Sequence, residues 1–175
     1  EPPSVSAGGV AWAPLLDADL GRYRSSHEGR VFHLSNGPAK AGYRVCLECG
    51  RAASDAGTGL AEHDALTPRK GAFGRCSGND RTYSITEPIA LGHEVLTDVA
   101  ELQPSGLSDA GTAWALASAL RESLARSLGI ETRELGLAVE PRFGLLGDHT
   151  HSIFLFDQSS GGAGYAPQLF ADIPR

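Results

Sequence analysis

Tyr43-Arg44-Val45-Cys46-Leu47-Glu48-Cys49-Gly50, followed by Leu60-Ala61-Glu62-His63 and Gly74-Arg75-Cys76-Ser77-Gly78, holds all three cysteines of the 175-residue chain. Two thiolates separated by two residues can reach one metal from a tight turn, and a glycine after the second frees backbone N–H groups to face its sulfur. The form is a zinc knuckle. A tetrahedral ion needs two more donors, and Cys76 with His63 completes the pattern C-x2-C-x13-H-x12-C. Other readings stay open from the residues alone: one disulfide and a free thiol, three buried apolar groups, or His27, His33 or His93 as the fourth ligand. A redox C-x-x-C is disfavoured, because Arg51 to Gly59 is small, polar and glycine-rich where a helix N-terminus belongs. A site with four protein ligands is structural, and it would pin a loop of some thirty residues too poor in apolar groups to pin itself.

A chain of this length can bury a real core as one domain with a smaller metal-bearing lobe. The expected division is a linker or tail over 1–21, a zinc-binding lobe over 22–87 and an α/β body over 88–175. Methionine is absent, so a piece of a longer polypeptide is expected, with Glu1-Pro2-Pro3-Ser4 as a cut linker. No apolar run is long enough to span a bilayer, and cysteines suited to metal imply a reducing, cytoplasmic setting.

Charge is unevenly spread. The net is −6, yet Arg22 to Arg81 carries ten basic and six acidic residues while Thr82 to Arg175 carries five and twelve. The lobe is thus the stretch that tolerates phosphate, with Arg44, Arg51, Arg69 and Arg75 as candidate DNA contacts; a solvated face is the plainer reading.

Strands are expected at Arg30–Leu34 and Gly42–Cys46, paired as a hairpin that delivers the knuckle, and at Tyr83–Ile85 and Ala90–Leu102, which Pro104-Ser105-Gly106 ends. Ser108 or Asp109 can cap a helix whose apolar stripe is Ala113, Leu116, Ala117, Leu120, Leu124 and Leu128, and Gly129 stops it. Trp114 reads as a core anchor. Leu137–Pro141 is a brief strand ended by proline, and Ser152–Phe156 is a strand buried on both faces. The class is α/β, with α+β open: a mixed sheet, one long amphipathic helix and a small knuckle lobe.

The buried strand runs into Asp157-Gln158-Ser159-Ser160-Gly161-Gly162-Ala163-Gly164-Tyr165 and then a possible helix at Ala166–Ile173. Such a loop can cradle a phosphate through Gly161, Gly162 and Gly164, with Asp157 beside it, although it matches neither the Walker pattern nor G-x-G-x-x-G. The alternative is a tight turn capped by Asp157. His149 and His151 lie two apart beside Asp148, and on one strand face they could join Asp157 for acid/base work on a phosphate-containing substrate.

Taken together, Cys46-x2-Cys49-Gly50 with His63, Thr67-Pro68 and Cys76-Ser77-Gly78; Leu91-Gly92-His93-Glu94-Val95-Leu96-Thr97-Asp98-Val99; and Ile153 to Asp157 with Gly161 to Tyr165 resemble the MrfA-type zinc-binding domain of superfamily-two DNA helicases. The same domain recurs in the DrmB component of the DISARM anti-phage system. The resemblance implies a non-catalytic accessory module that docks on a helicase domain or subunit, contacts DNA in that setting, and leaves ATP hydrolysis to another domain. It also implies zinc at Cys46, Cys49, His63 and Cys76. Many members carry a further four-cysteine cluster after the glycine loop, whereas no cysteine follows Cys76 here.

Overall fold

The computed structural model describes residues 3–54, 60, 62–66, 74–80, 85–143, 147, 149–171 and 173. In chain order the strands are β1 (Ser4–Ser6), β2 (Ala13–Pro14), β3 (Gly21–Ser35), β4 (Tyr43–Cys46), β5 (Ala52–Ala53), β6 (Ile85–Ile89) and β7 (Leu91–Pro104), then helix α1 (Ala110–Leu128), β8 (Leu135–Phe143) and β9 (His149–Asp157). The chain divides into two compact units, one over Leu34–His93 and the other over Pro2–His33 with Glu94–Arg175. These are not the expected boundaries at 21/22 and 87/88. The stretch 1–21 contributes two strands, so it is no free tail, and most of β3 belongs with the larger unit. One consequence is electrostatic: Leu34–His93 holds seven basic and six acidic residues, because Arg22, Arg24 and Arg30 go with the larger unit and Glu87 with the smaller.

In the smaller unit β4 is the middle of a three-stranded sheet, antiparallel to β5 and β6. The expected hairpin of residues 30–34 with 42–46 does not form: Asn36 and Gly42 are joined by a backbone bond of 2.7 Å that closes a turn, and β4 takes its partners from sequence farther on. Tyr83 lies outside the described residues, and the strand that follows it is β6.

The larger unit is built on a sheet in the order β1-β3-β7-β9-β8, with β2 also on β3. β1 and β2 run antiparallel to β3, and β9 runs antiparallel to β7 and to β8. Side-chain pairs Arg22–Gln103, Arg24–Glu101, His27–Asp98 and Arg30–Glu94 run in opposite order along β3 and β7, so these two are antiparallel as well. With a single long helix laid on it, the sheet gives the α+β form of the expected class rather than a mixed sheet.

Alternation along β7 separates two cores. Ala100 and Leu102 face α1 with Tyr23, Leu135, Ile153 and Leu155, while Val99 faces Val5, Ala7, Val31, Ala138, Phe154 and Phe156. The Val5 N–H donates to Glu140 Oε1 at 2.8 Å, tying β1 to β8 although they are opposite edges. The sheet therefore curls around the second core and covers edges that would otherwise invite pairing with other chains. Pro141 sits inside β8 instead of ending it, as an edge strand allows a residue without an N–H.

Helix α1 follows its sequence signals. Asp109 accepts a bond of 2.6 Å from the Thr112 N–H, and Gly129 stops the helix with φ of 69°. Ala113, Ala117, Leu124 and Ala125 are buried, with Leu116, Leu120 and Leu128 at the margin of the same core. Trp114 departs from expectation: it is 36% exposed and anchors nothing in the core. No helix among the described residues is long and apolar enough to cross a membrane.

Candidate metal centre and glycine loop

Two short ribbons bring the four predicted ligands together. The first is the knuckle: Gly50, at φ of 75°, donates its N–H to the Cys46 carbonyl at 2.8 Å, and the Cys46 N–H returns to Arg51 O at 2.9 Å. Only a residue that tolerates positive φ closes so tight a turn cheaply. The second ribbon pairs Asp64 with Arg75, and the Cys76 N–H donates to His63 O at 2.9 Å, which sets His63 and Cys76 side by side.

The donor atoms of Cys46, Cys49, His63 and Cys76 all lie within 4.8 Å of one another. Cys46 Sγ and Cys76 Sγ are 3.8 Å apart, and Cys49 Sγ is 3.4 Å from His63 Nε2. Bonds of about 2.3 Å to sulfur and about 2.0 Å to nitrogen in a tetrahedron place donors roughly 3.5–3.8 Å from each other. The spacing is that of a zinc site. It is not that of a disulfide, and all three cysteines are free. His63 Nδ1 lies 2.9 Å from Leu60 O, so Nδ1–H donates there and Nε2 keeps its lone pair for the ion. Leu60, Cys46, His63 and Cys76 are buried. Of the other candidate ligands, His27 is engaged with Asp98 in the larger unit, and neither His33 nor His93 joins the cluster.

Electrostatics points the same way. Burial pushes the Cys49 thiol up, but hydrogen bonds from the Leu66 and Arg51 backbone and from the His63 and Cys76 side chains outweigh it and bring it down to about 6. At Cys76 the Gly78 N–H lowers the thiol, yet burial and the sulfurs of Cys46 and Cys49 leave it raised. Three sulfurs at this distance cannot all ionise without a cation among them, and a divalent ion reverses that balance.

Gly78 completes the site in a way that spacing does not reveal. A Cβ there would stand 2.6 Å from Cys46 Sγ, and its N–H lies 3.3 Å from Cys76 Sγ. Glycine lets the backbone approach the sulfurs closely enough to donate.

The expected DNA contacts scatter around this unit. Arg51 Nε donates to Asp64 O at 3.0 Å, Arg75 pairs with Glu62 at 2.8 Å, and Arg44 lies in β4 opposite Ala53. Arg69 and Asp148 lie outside the described residues.

The glycine loop belongs to the larger unit and is organised by carboxylates. Asp157 is 1% exposed and accepts from the N–H groups of Ala163, Tyr165 and Ala166 at 2.6, 3.0 and 2.8 Å. Asp98, also buried, accepts from Gly164 N–H at 2.7 Å. The donors that a phosphate would need at Gly161, Gly162 and Gly164 are taken: Gly161 N–H goes to Leu96 O and Gly162 N–H to Ser159 O. Two carboxylates at the centre also repel an anion. The loop is the capped turn, and the segment after it, Ala166–Phe170, is a short 3-10 turn rather than a longer helix.

The acid/base trio does not assemble either. His149 and Asp157 begin and end β9, eight residues or roughly 26 Å apart in an extended strand. His149 packs at a tilt against Phe143, and His151 Nδ1 lies 3.0 Å from Leu107 O. The residue that sequence reasoning missed in this unit is Asp98, which looks like a surface group until β3 and β7 are paired and is buried beneath an exposed His27.

Comparison with known proteins agrees with the resemblance. The family model of the MrfA Zn-binding domain matches residues 116–175. That stretch contains no cysteine, so the cluster at Cys46 to Cys76 lies outside it. No curated protein sequence matches the chain. The crystal structure of the DUF1998 helicase MrfA bound to DNA is similar at 11% identity with a TM-score of 0.48, over 97% of this chain and 18% of that one. The chain thus spans less than a fifth of that helicase. The family match thus runs from within α1 through the glycine loop, about a third of the chain.

Proposed function

We propose that the chain is a zinc-stabilised, non-catalytic accessory module of a DNA helicase, working in the cytoplasm within a DNA-repair or anti-phage machine and contacting DNA there. The observation that carries the zinc part is the convergence of four donor atoms within 4.8 Å, with the His63 tautomer fixed by Leu60. Helicase association is supported by the family match over residues 116–175. ATP hydrolysis belongs to another domain or subunit.

Arg44, Arg51 and Arg75, with Arg69, are the DNA contacts proposed on the zinc-bearing unit. The Arg75–Glu62 pair is exposed on both sides and is worth little against a phosphate, so Arg75 can change partners. The near-neutral balance of Leu34–His93 makes this a local contact and not a broad basic face.

The test uses the full chain. Metal analysis is expected to find about one zinc per chain, and Cys49→Ser to lower that ratio. Fluorescence anisotropy with labelled single- and double-stranded DNA is expected to give binding that weakens as salt rises and as Arg44, Arg51 and Arg75 are replaced by Gln. A chain that is metal-free as isolated and does not take up zinc overturns the first part. One that binds neither DNA at low salt overturns the second.

A further inference from the structure

A cavity of about 460 Å³ lies in the larger unit between the outer face of α1 and the start of β8. It has the size of a small-ligand pocket. Trp114, Ser118 and Arg121 line it from the helix, and Leu137, Phe156 and Gln158 line it from the sheet and the loop. None of these residues takes part in the metal centre or in the capping of the glycine loop.

Two features need explaining. Trp114 leaves the core and offers its ring to the cavity, being 36% exposed. Arg121 Nε is buried and has no hydrogen-bond partner among the described residues. The Arg121 side chain also lines the cavity, and a guanidinium at such a wall is matched by an anion. Both side chains sit on one helix stripe, at i and i+7, with Ser118 between them; at 1.5 Å per residue their backbone positions are roughly 10 Å apart. Gly136 lets the Phe156 ring and Gln158 pack close against β8, where a Cβ would come within 2.3 Å of the ring and 2.8 Å of Gln158 Nε2.

An apolar ring platform and a cation one nucleotide's reach away, with an amide in the same lining, match a flat heterocycle that carries a phosphate. We infer that this cavity is a nucleotide subsite in which a base stacks on Trp114, Arg121 holds the phosphate and Gln158 addresses the polar edge, the Ser118 hydroxyl donating instead to the Trp114 carbonyl at 2.9 Å. The ligand is either a free nucleotide or one residue of a single strand. The inference rests on the proposed DNA-associated role and moves one contact from the zinc-bearing unit to this face. Stacking of a base on an aromatic ring is tolerant of sequence, as such a contact requires.

The experiment uses the full chain with Trp12→Phe, so that Trp114 is the sole tryptophan. Thymidine 5′-monophosphate, a ten-residue oligothymidylate and inorganic phosphate are titrated against its fluorescence, with circular dichroism melts to check folding. Saturable quenching by either thymidine ligand is expected, with Arg121→Gln weakening it between about five- and a hundred-fold and Arg121→Lys recovering part. Much tighter binding of the oligomer identifies a strand as the ligand; equal binding identifies a free nucleotide. Unsaturable quenching, an unchanged Kd in a folded Arg121→Gln, or inorganic phosphate binding as well as the nucleotide overturns the inference. Should neither thymidine ligand give saturable quenching while labelled DNA still binds and is lost when Arg44, Arg51 and Arg75 are replaced, this subsite is wrong while the DNA-contacting role stands. Nucleotide quenching without any binding of labelled DNA gives the converse.

Discussion

His63 turns Nε2 toward the sulfur of Cys49, 3.4 Å away, because its other ring nitrogen is bound to the Leu60 carbonyl. The lone pair that a metal needs is therefore oriented by the backbone before any ion arrives, and Leu60 is itself buried. Pre-orientation of this kind raises affinity by removing the cost of ordering the ligand at the moment of binding.

Gly78 supplies the first test of that site beyond its ligands. A methyl group 2.6 Å from Cys46 Sγ must displace either the sulfur or the backbone that donates to Cys76. Gly78→Ala is expected to weaken zinc about ten- to a hundred-fold in competition with a chromophoric chelator. His63→Ala is expected to lose the fourth ligand and bind weaker still. Stoichiometric zinc at unchanged affinity in both variants would mean that the ion sits elsewhere.

What the sequence disclosed and what it hid follow from how local each signal is. The knuckle, the Asp109 cap and the Gly129 stop are written within a few residues, and each stands where it was expected. The strand Thr97 to Gln103 holds buried Thr97, Asp98, Glu101 and Gln103, which by composition belong on a surface. Their partners are Asp157 and Ser159 carbonyls, His27, Arg24 and Arg22, all more than fifty residues away. Polar burial of that sort is legible only after the strands are paired. The same holds for β1, three residues whose place is set by Phe32 to Arg30 and by Glu140.

Glu101 shows what such pairing implies for stability. It is 1% exposed, and Arg24 reaches it through both Nε and Nη2 at 2.7 and 2.6 Å. Arg24 also stacks over Trp12 at 4.4 Å. Removing one partner strands a buried charge, so Arg24→Ala is expected to destabilise the chain by about 3–5 kcal/mol in urea unfolding. Arg24→Met with Glu101→Leu is expected to cost far less than Arg24→Ala alone. Equal losses would show that packing against Trp12, not charge, sets the value.

The glycine loop makes a separate prediction through Gly162. A Cβ there would fall 2.0 Å from Asp98 Oδ2 and 2.9 Å from the Asp98 backbone nitrogen, on a backbone held at φ of 78°. Strain at positive φ alone costs roughly 1–3 kcal/mol, and the clash adds to it. Gly162→Ala is expected to lower the melting temperature by several degrees, whereas Gly161→Ala, with open space around its Cβ, meets only the φ penalty. Equal shifts in the two variants would mean that Asp98 does not pack on the loop.

Asp109 gives the pH dependence a sign. The Thr112 backbone N–H, together with its side chain, stabilises the charged carboxylate and holds Asp109 below the ordinary aspartate range, with His151 adding a smaller favourable field. A carboxyl whose pKa is lower in the folded chain than in the unfolded one stabilises the fold fully above the unfolded value, about 3.9. That contribution disappears as pH falls through the folded value. The melting temperature of Asp109→Ala should therefore lie below that of the parent at pH 7, and the gap should narrow steadily below about pH 4. Asp109→Asn keeps an oxygen for the cap without the titrating charge, so its own gap to Asp109→Ala should stay constant through the same range. A parent-to-alanine gap that does not change between neutral and acid pH would assign the cap to its shape, with the charge contributing nothing.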